Sequence, residues 1–307
     1  MIYLNMKEEL NNWAFLKLTQ AGYNNVRVSE AMVQYYNAAL RFIMPKPRTV
    51  MKTNEFVCPS GYEKKLQFFE EAVTQGKDLK PFMTKTMLDA SFQDKMLFDW
   101  GLYHFHLSDT VNTKDKRFMD RSGQLLIAYK DWNNDNTLYF LQVVSHQQLN
   151  VWTTQAFIRY LADNWPDMME PHRLKGVIDT DYNVSDADFA GLRSANVNSF
   201  VNLGDGRVYI GSNFGLTGAG YSVRAQLHLL SVNKYTSLTE KLIKEKSVEI
   251  IAYINDNSRR SFSDLTLHIQ AFRNKDFFFE IEEIPEKVLL VNLKETPAGP
   301  KLNYRIV

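Results

Sequence analysis

The chain has 307 residues, of which 45% are hydrophobic and 23% charged, and its formal net charge is +1. This composition excludes global disorder and supplies no long-range steering toward nucleic acid or an acidic membrane. One cysteine, Cys58, excludes an internal disulfide and fits a reducing compartment.

The length favours two domains, or one large domain with insertions, and can bury a core without disulfides or a structural metal. The N-terminus carries acids early and no signal-peptide apolar run, and no apolar stretch of roughly 18 residues occurs. A cytoplasmic protein without a membrane partner is expected.

In chain order, residues 6–43 read as two helices. Leu10, Trp13, Ala14, Leu16 and Leu18 mark the first, Ala21 to Asn25 the turn, and Ser29 the N-cap of the second. Such a pair is either a packing hairpin or a helix-turn-helix reader of DNA, and packing is the commoner use. Pro45-Lys46-Pro47-Arg48 breaks the chain into an extended, modestly basic linker that reaches Lys52. Glu63 to Gln75 predicts an amphipathic helix on Leu66, Phe69 and Val73, with Gly76 just beyond its end.

Residues 101–107, 124–129 and 138–144 read as strands. Strong turn chemistry at Asp131 to Asn136 separates the last two, and a helix over 153–164 stops at Trp165-Pro166. This is an antiparallel meander backed by a helix. Further on, a polar acidic loop around 179–188 is expected, then strands near 199–203 and 207–210. A glycine-rich stretch over 211–220 leads into a helix over 222–246, with Glu240 and Lys244 as an i,i+4 pair. Late strands are expected at 265–272, 277–281 and 288–293, and the tail from Thr296 is expected to fray. The fold class is α+β: a helical N-terminal unit (1–85), a central antiparallel sheet with a packed helix (86–170) and a mixed α/β C-terminal unit (171–307).

His104 and His106 alternate with Tyr103, Phe105 and Leu107. On a strand the two imidazoles share one face, expected toward water or a cleft, and the aromatic face packs inward. His146 follows the third strand, at the same sheet edge and about 10 Å away at ordinary strand spacing. Asp99, Asp109, Arg117, Asp120 and Arg121 flank these segments. Three states suit this arrangement. The histidines can act as acid and base in phosphodiester cleavage, with an arginine on the phosphate. They can join an aspartate around a transition metal. They can be inert residues on a wet face.

The segment Asp99-Trp100-Gly101-Leu102-Tyr103-His104-Phe105-His106-Leu107, with Arg121 and Leu125-Leu126, resembles a segment of uncharacterised bacterial proteins. That resemblance covers a limited part of the chain and implies no particular activity. The meander with its following helix also resembles the small sheet of RelE-like ribonuclease toxins, which implies an RNA-cleaving toxin or phage-defence-like effector. This chain is much longer than such toxins and lacks their basic character.

Two other candidates remain. Gly211 to Ser222 lies between a strand and a helix, so Gly218, Gly220 and Ser222 can offer backbone amides to an anion, with Arg224 adding charge. It lacks the Walker Lys-Ser/Thr pair and the G-x-G-x-x-G pattern, and a sharply turning connection is the simpler account. Glu280 and Glu282 share a strand face and can hold Mg²⁺, although a solvated acidic face is the default. His172, His228 and His268 stand alone. The expected function is a metal-independent ribonuclease or phosphodiesterase. His104 and His106 serve as acid and base, His146 positions, Arg121 binds phosphate, and no cofactor or metal takes part. The alternative is a non-enzymatic module that binds a partner protein or nucleic acid through the glycine-rich stretch and the N-terminal helices.

Overall fold

The computed structural model describes residues 1–180, 184–297 and 299–307. Its strands are β1 (Ile2–Tyr3), β2 (Thr49–Lys52), β3 (Leu102–His106), β4 (Gln124–Tyr129), β5 (Thr137–Ser145), β6 (Val201–Asn202), β7 (Val208–Tyr209), β8 (Leu265–Arg273), β9 (Asp276–Ile281), β10 (Val288–Lys294) and β11 (Lys301–Ile306). Its helices are α1 (Met6–Gln20), α2 (Ala31–Arg41), α3 (Glu63–Thr74), α4 (Lys95–Trp100), α5 (Ala156–Asn164), α6 (Pro166–Met169), α7 (Asp186–Ser194), α8 (Val223–Glu245) and α9 (Ser247–Ser258). The α+β class is as the sequence implies. The chain forms two compact units, one of Met1–Tyr36 with Leu227–Val307, the other of Asn37–Gln226. These divisions fall inside α2 and α8. No described helix is long and apolar enough to cross a membrane.

In the first unit, Asn5 caps α1 by accepting from the Glu8 backbone N–H at 3.3 Å. Met6, Leu10, Ala14 and Leu18 then bury one stripe of it, four residues apart. The sheet runs β1-β8-β9-β10-β11, with Leu267, Ile269, Phe277, Phe279 and Val291 in the same core as Met6, Leu10 and Ala14 of that stripe. The second helix starts at Ala31, so Ser29 lies in a 3₁₀ turn before it and is not its cap. Within the tail expected to fray, residue 298 lies outside the described residues and Lys301–Ile306 form β11, antiparallel to β10 from Leu289↔Ile306 to Lys294↔Lys301.

The second unit holds the sheet β2-β5-β4-β3. The meander β3-β4-β5 is antiparallel as expected. The supposed linker contributes β2, parallel to β5. Its cations are engaged: Arg48 is buried and bonds Asp135 at 3.0 and 3.1 Å, while Lys52 pairs with Glu70 at 2.7 Å. Helix α3 ends as predicted, with Gly76 left-handed at φ +72° and its N–H donating to the Val73 carbonyl. Both faces of the sheet are covered. Phe105 and Phe140 meet Phe69 of α3 at 4.7 and 5.8 Å between ring centroids. On the other face, Leu102, Leu125, Ile127 and Leu141 share a core with Phe157 and Leu161 of α5 and Phe189 of α7.

Gly101 joins α4 to β3 at φ +73°, and a β-carbon there would lie 2.4 Å from Ser212 Oγ. That hydroxyl cannot swing away freely, because it donates to the Trp100 carbonyl at 2.8 Å. Left-handed backbone costs a non-glycine residue roughly 1–2 kcal/mol before any clash. Gly101→Ala should therefore lower the unfolding free energy by about 2 kcal/mol in a urea titration. A loss below about 0.5 kcal/mol, the scatter of ordinary surface changes, would contradict this geometry.

Candidate functional site

Asp94 caps α4, its Oδ1 accepting the Leu97 N–H at 3.1 Å. The helix delivers the chain through Gly101 into β3, where His104 and His106 follow Leu102 on one face. His106 pairs with Leu125, and the neighbouring Gln124 pairs with Ser145. His146 thus leaves β5 at the same edge, and its N–H donates to the Gly123 carbonyl at 2.9 Å. The rings of His106 and His146 lie 6.2 Å apart, 18° from parallel, so the side chains close much of the expected backbone gap. Trp152 meets both His104 and His146 edge to face, at 4.9 and 5.6 Å. Asp94, His104, His106, Arg121, His146 and Trp152 share the wall of one cavity of about 520 Å³.

The histidine face is therefore not wet. His104 is 9% exposed and His106 4%, because the helical layer over this face closes around the cavity. Burial lowers the His104 imidazole, with Asp94 opposing and His146 reinforcing. Burial, with repulsion from His104, Arg121 and His146, lowers His106 to about 4, and only the Ser122 backbone opposes it. Nδ1 of each ring is buried without a hydrogen-bond partner. Asp94 Oδ2 lies 3.9 Å from His104 Nδ1, too far for a hydrogen bond. Arg121 is exposed and has neither a hydrogen bond nor an ion pair with any described residue.

Arg193 also lines the cavity, but its charge is spent. Its Nε and Nη2 donate to buried Asp99 Oδ2 at 3.2 and 2.9 Å, and Nη1 donates to the Trp152 carbonyl. Its guanidinium lies 3.9 Å from the Trp100 ring centre. The other expected flanking groups serve locally: Arg117 bonds Asp115 at 2.9 and 3.0 Å, and Asp120 accepts from Asn112 at 2.9 Å. Asp109 bonds its neighbour Thr110 at 3.3 Å.

Asp94, Trp152 and Arg193 were not legible as site residues. Helix α7 (Asp186–Ser194), which carries Arg193, begins at the end of the segment expected to be an acidic loop (179–188), of which residues 181–183 lie outside the described residues. A readable signal existed there: Ser185 and Asp188 form a capping box, with reciprocal bonds of 3.2 and 3.0 Å.

The glycine-rich stretch has a structural use. Its first half satisfies the carbonyls that end α4. Asn213 Nδ2 donates to Leu97 O at 2.6 Å, Gly215 N to Phe98 O at 3.0 Å, and Asn213 N to Asp99 O at 2.9 Å. In its second half, Gly220 N donates to Thr217 O at 2.8 Å and Ser222 N to Asn37 Oδ1 at 3.1 Å. Gly218 has open space around it, and Arg224 donates to Ser212 O at 2.9 Å beside Trp132 and Phe214. These donors are turned into the fold, which leaves little of the expected anion nest.

Among the described residues no group of three or more His, Cys, Asp or Glu is placed to hold a metal ion. Glu282 instead meets His268 at 3.3 Å, and Glu9 meets its other nitrogen at 3.2 Å. His228 packs edge-on against Tyr36 at 4.4 Å, and burial lowers His172. No protein-family model matches the chain, and no curated protein or solved structure is significantly similar to it.

The depressed His106 gives a pH signature. Below its ordinary value of 6.5 the unfolded chain takes up a proton that the folded chain refuses until about 4. Stability is thus fully present above 6.5 and is lost as pH falls across that window. Urea midpoints measured from pH 7 to 4 should fall, and His106→Asn should fall less steeply, by up to one proton's worth of slope. An identical slope in the variant would contradict the assignment.

Proposed function

We propose that the chain is a metal-independent phosphodiesterase that cleaves RNA in the His104–His106–His146 cavity. The observation that carries this reading is that His106, His146 and Arg121 line one cavity and none of them pairs with a carboxylate of a described residue. His106 presents a buried, unpartnered nitrogen. His146 lies beside it and Arg121 has no partner. Each adds positive or protonatable character that an anionic ligand would compensate.

The roles follow from exposure. His106, held neutral by burial, is the base that accepts the proton of a 2′-hydroxyl. The oxygen attacks the adjacent phosphorus, the bond to the 5′-oxygen breaks, and a 2′,3′-cyclic phosphate forms. His146 is exposed, so it recovers protons from solvent and suits the acid that protonates the leaving oxygen. Binding of the phosphate raises the affinity of the His106 ring for protons, which brings the buried base closer to working range. Arg121 stabilises the phosphorane oxygens. His104, between Asp94 and Trp152, is a positioning residue. The acid is therefore assigned to His146 in place of His104.

Cleavage of total RNA and tRNA should persist in EDTA. His106→Ala and His146→Ala should each lower the rate about 100-fold or more, the usual worth of positioned proton transfer. Arg121→Ala should lower it about 10-fold or more through lost transition-state charge. Wild-type rates in both histidine variants, or complete loss in EDTA, would contradict the reading.

A further inference from the structure

The proton-transfer groups occupy one part of the cavity wall, and an aromatic surface adjoins them. Trp152 lines the same cavity and stays 36% exposed, although it touches two imidazoles. The chain on either side of it is tethered. The Trp152 carbonyl accepts from Arg193 Nη1. Thr153 Oγ1 donates to the Asp186 carbonyl at 2.7 Å, and Thr154 Oγ1 to the Asn150 carbonyl at 3.0 Å. The indole is therefore held in place before any ligand arrives, and a flat ligand face would complete its burial.

Its place beside the acid indicates which part of a substrate it meets. The indole lies 5.6 Å from the His146 ring, and that ring lies 6.2 Å from His106. His146 is the group assigned to protonate the leaving 5′-oxygen. The nucleotide that carries this oxygen thus falls on the indole side of the acid. The burial of His106 then limits the form of the strand. A 2′-hydroxyl must come within roughly 3 Å of that ring, which is 4% exposed. In a duplex this hydroxyl sits on the shallow groove of a stacked helix. A cavity of about 520 Å³ takes one small ligand, not a run of base pairs. The nucleotide must leave its stack to enter, and an aromatic ring replaces the stacking it loses.

We infer that the cavity takes single-stranded RNA, and that Trp152 stacks the base of the nucleotide on the leaving side of the scissile phosphate. This inference rests on the phosphodiesterase reading. It adds the strandedness of the substrate and a binding residue outside the proton transfers. Stacking needs only a π-face, so each of the four bases serves.

The test uses a short 2′-O-methyl RNA strand with a single free 2′-hydroxyl, hence one cleavable bond. It is compared with the same strand carrying an abasic residue on the leaving side, using wild type, Trp152→Phe and Trp152→Leu. Leucine keeps apolar bulk against the two imidazoles without a flat face, and phenylalanine keeps both. Wild type should cleave the intact strand with a kcat/KM about 10-fold or more above that of the abasic strand, the scale of one base stacked on an aromatic ring. Trp152→Leu should erase that gap by slowing the intact strand alone, and Trp152→Phe should keep most of it. Annealing the intact strand to its complement should suppress cleavage by wild type. A gap that persists in Trp152→Leu, or a loss in that variant that falls equally on both strands, overturns the stacking role. Cleavage of the duplex at the single-strand rate overturns the choice of single-stranded RNA. Either result leaves the phosphodiesterase reading standing. No cleavage of any strand by wild type overturns that reading and this inference together.

Discussion

A strand covered on both faces must satisfy or justify each polar atom it buries. β3 carries two histidines into that situation, and neither Nδ1 finds a partner. An unsatisfied buried polar group costs roughly 1–3 kcal/mol. Packing that merely filled the space would do better with apolar side chains. The cost is intelligible if the cavity beside these rings receives a ligand that supplies the missing partners, and an anion also relieves the repulsion among His104, His106, His146 and Arg121.

The end of α4, which feeds β3, is by contrast satisfied. The C-terminal carbonyls of α4 are all taken, by Asn213, Gly215, Ser212 and Gly101. Glycine at 211 permits that approach, since a β-carbon there would lie 2.4 Å from the Asp99 carbonyl oxygen. The buried Asp99–Arg193 pair then ties α7 to α4 and, through the Trp152 carbonyl, to the turn that carries the indole. Breaking such a pair leaves an uncompensated buried charge, so the cavity walls are held by contacts that resist rearrangement. Rigid walls around unsatisfied rings describe a site whose cost is met in advance by its scaffold.

Much of this was legible in the amino-acid order. Period-two alternation placed Tyr103 and Phe105 inward, and the hydroxyl of Tyr103 donates to the Leu40 carbonyl at 2.8 Å. The same alternation put His104 and His106 on one face, and turn chemistry fixed the meander that brings His146 to them. The burial of that face was not legible, because a strand pattern does not say what will cover it. Helix α4 is six residues long, too short for its periodicity to register. Helix α7 begins in a run of aspartates that reads as loop until Ser185 and Asp188 are recognised as a capping box. Residues 49–52 look like a linker because their strand is completed by β5, far along the chain. Lys301–Ile306 gains its order in the same way, from β10.

An imidazole cluster built around an anion should respond to one. The direct measurement is a titration of the ¹⁵N resonances of His106 by NMR, with and without inorganic phosphate. Without phosphate the ring should stay neutral down to about pH 4. With saturating phosphate its protonation should move upward by a unit or more, since the bound charge favours the imidazolium by roughly 1.4 kcal/mol per unit. An identical titration in the presence and absence of phosphate would contradict an anion site at His106.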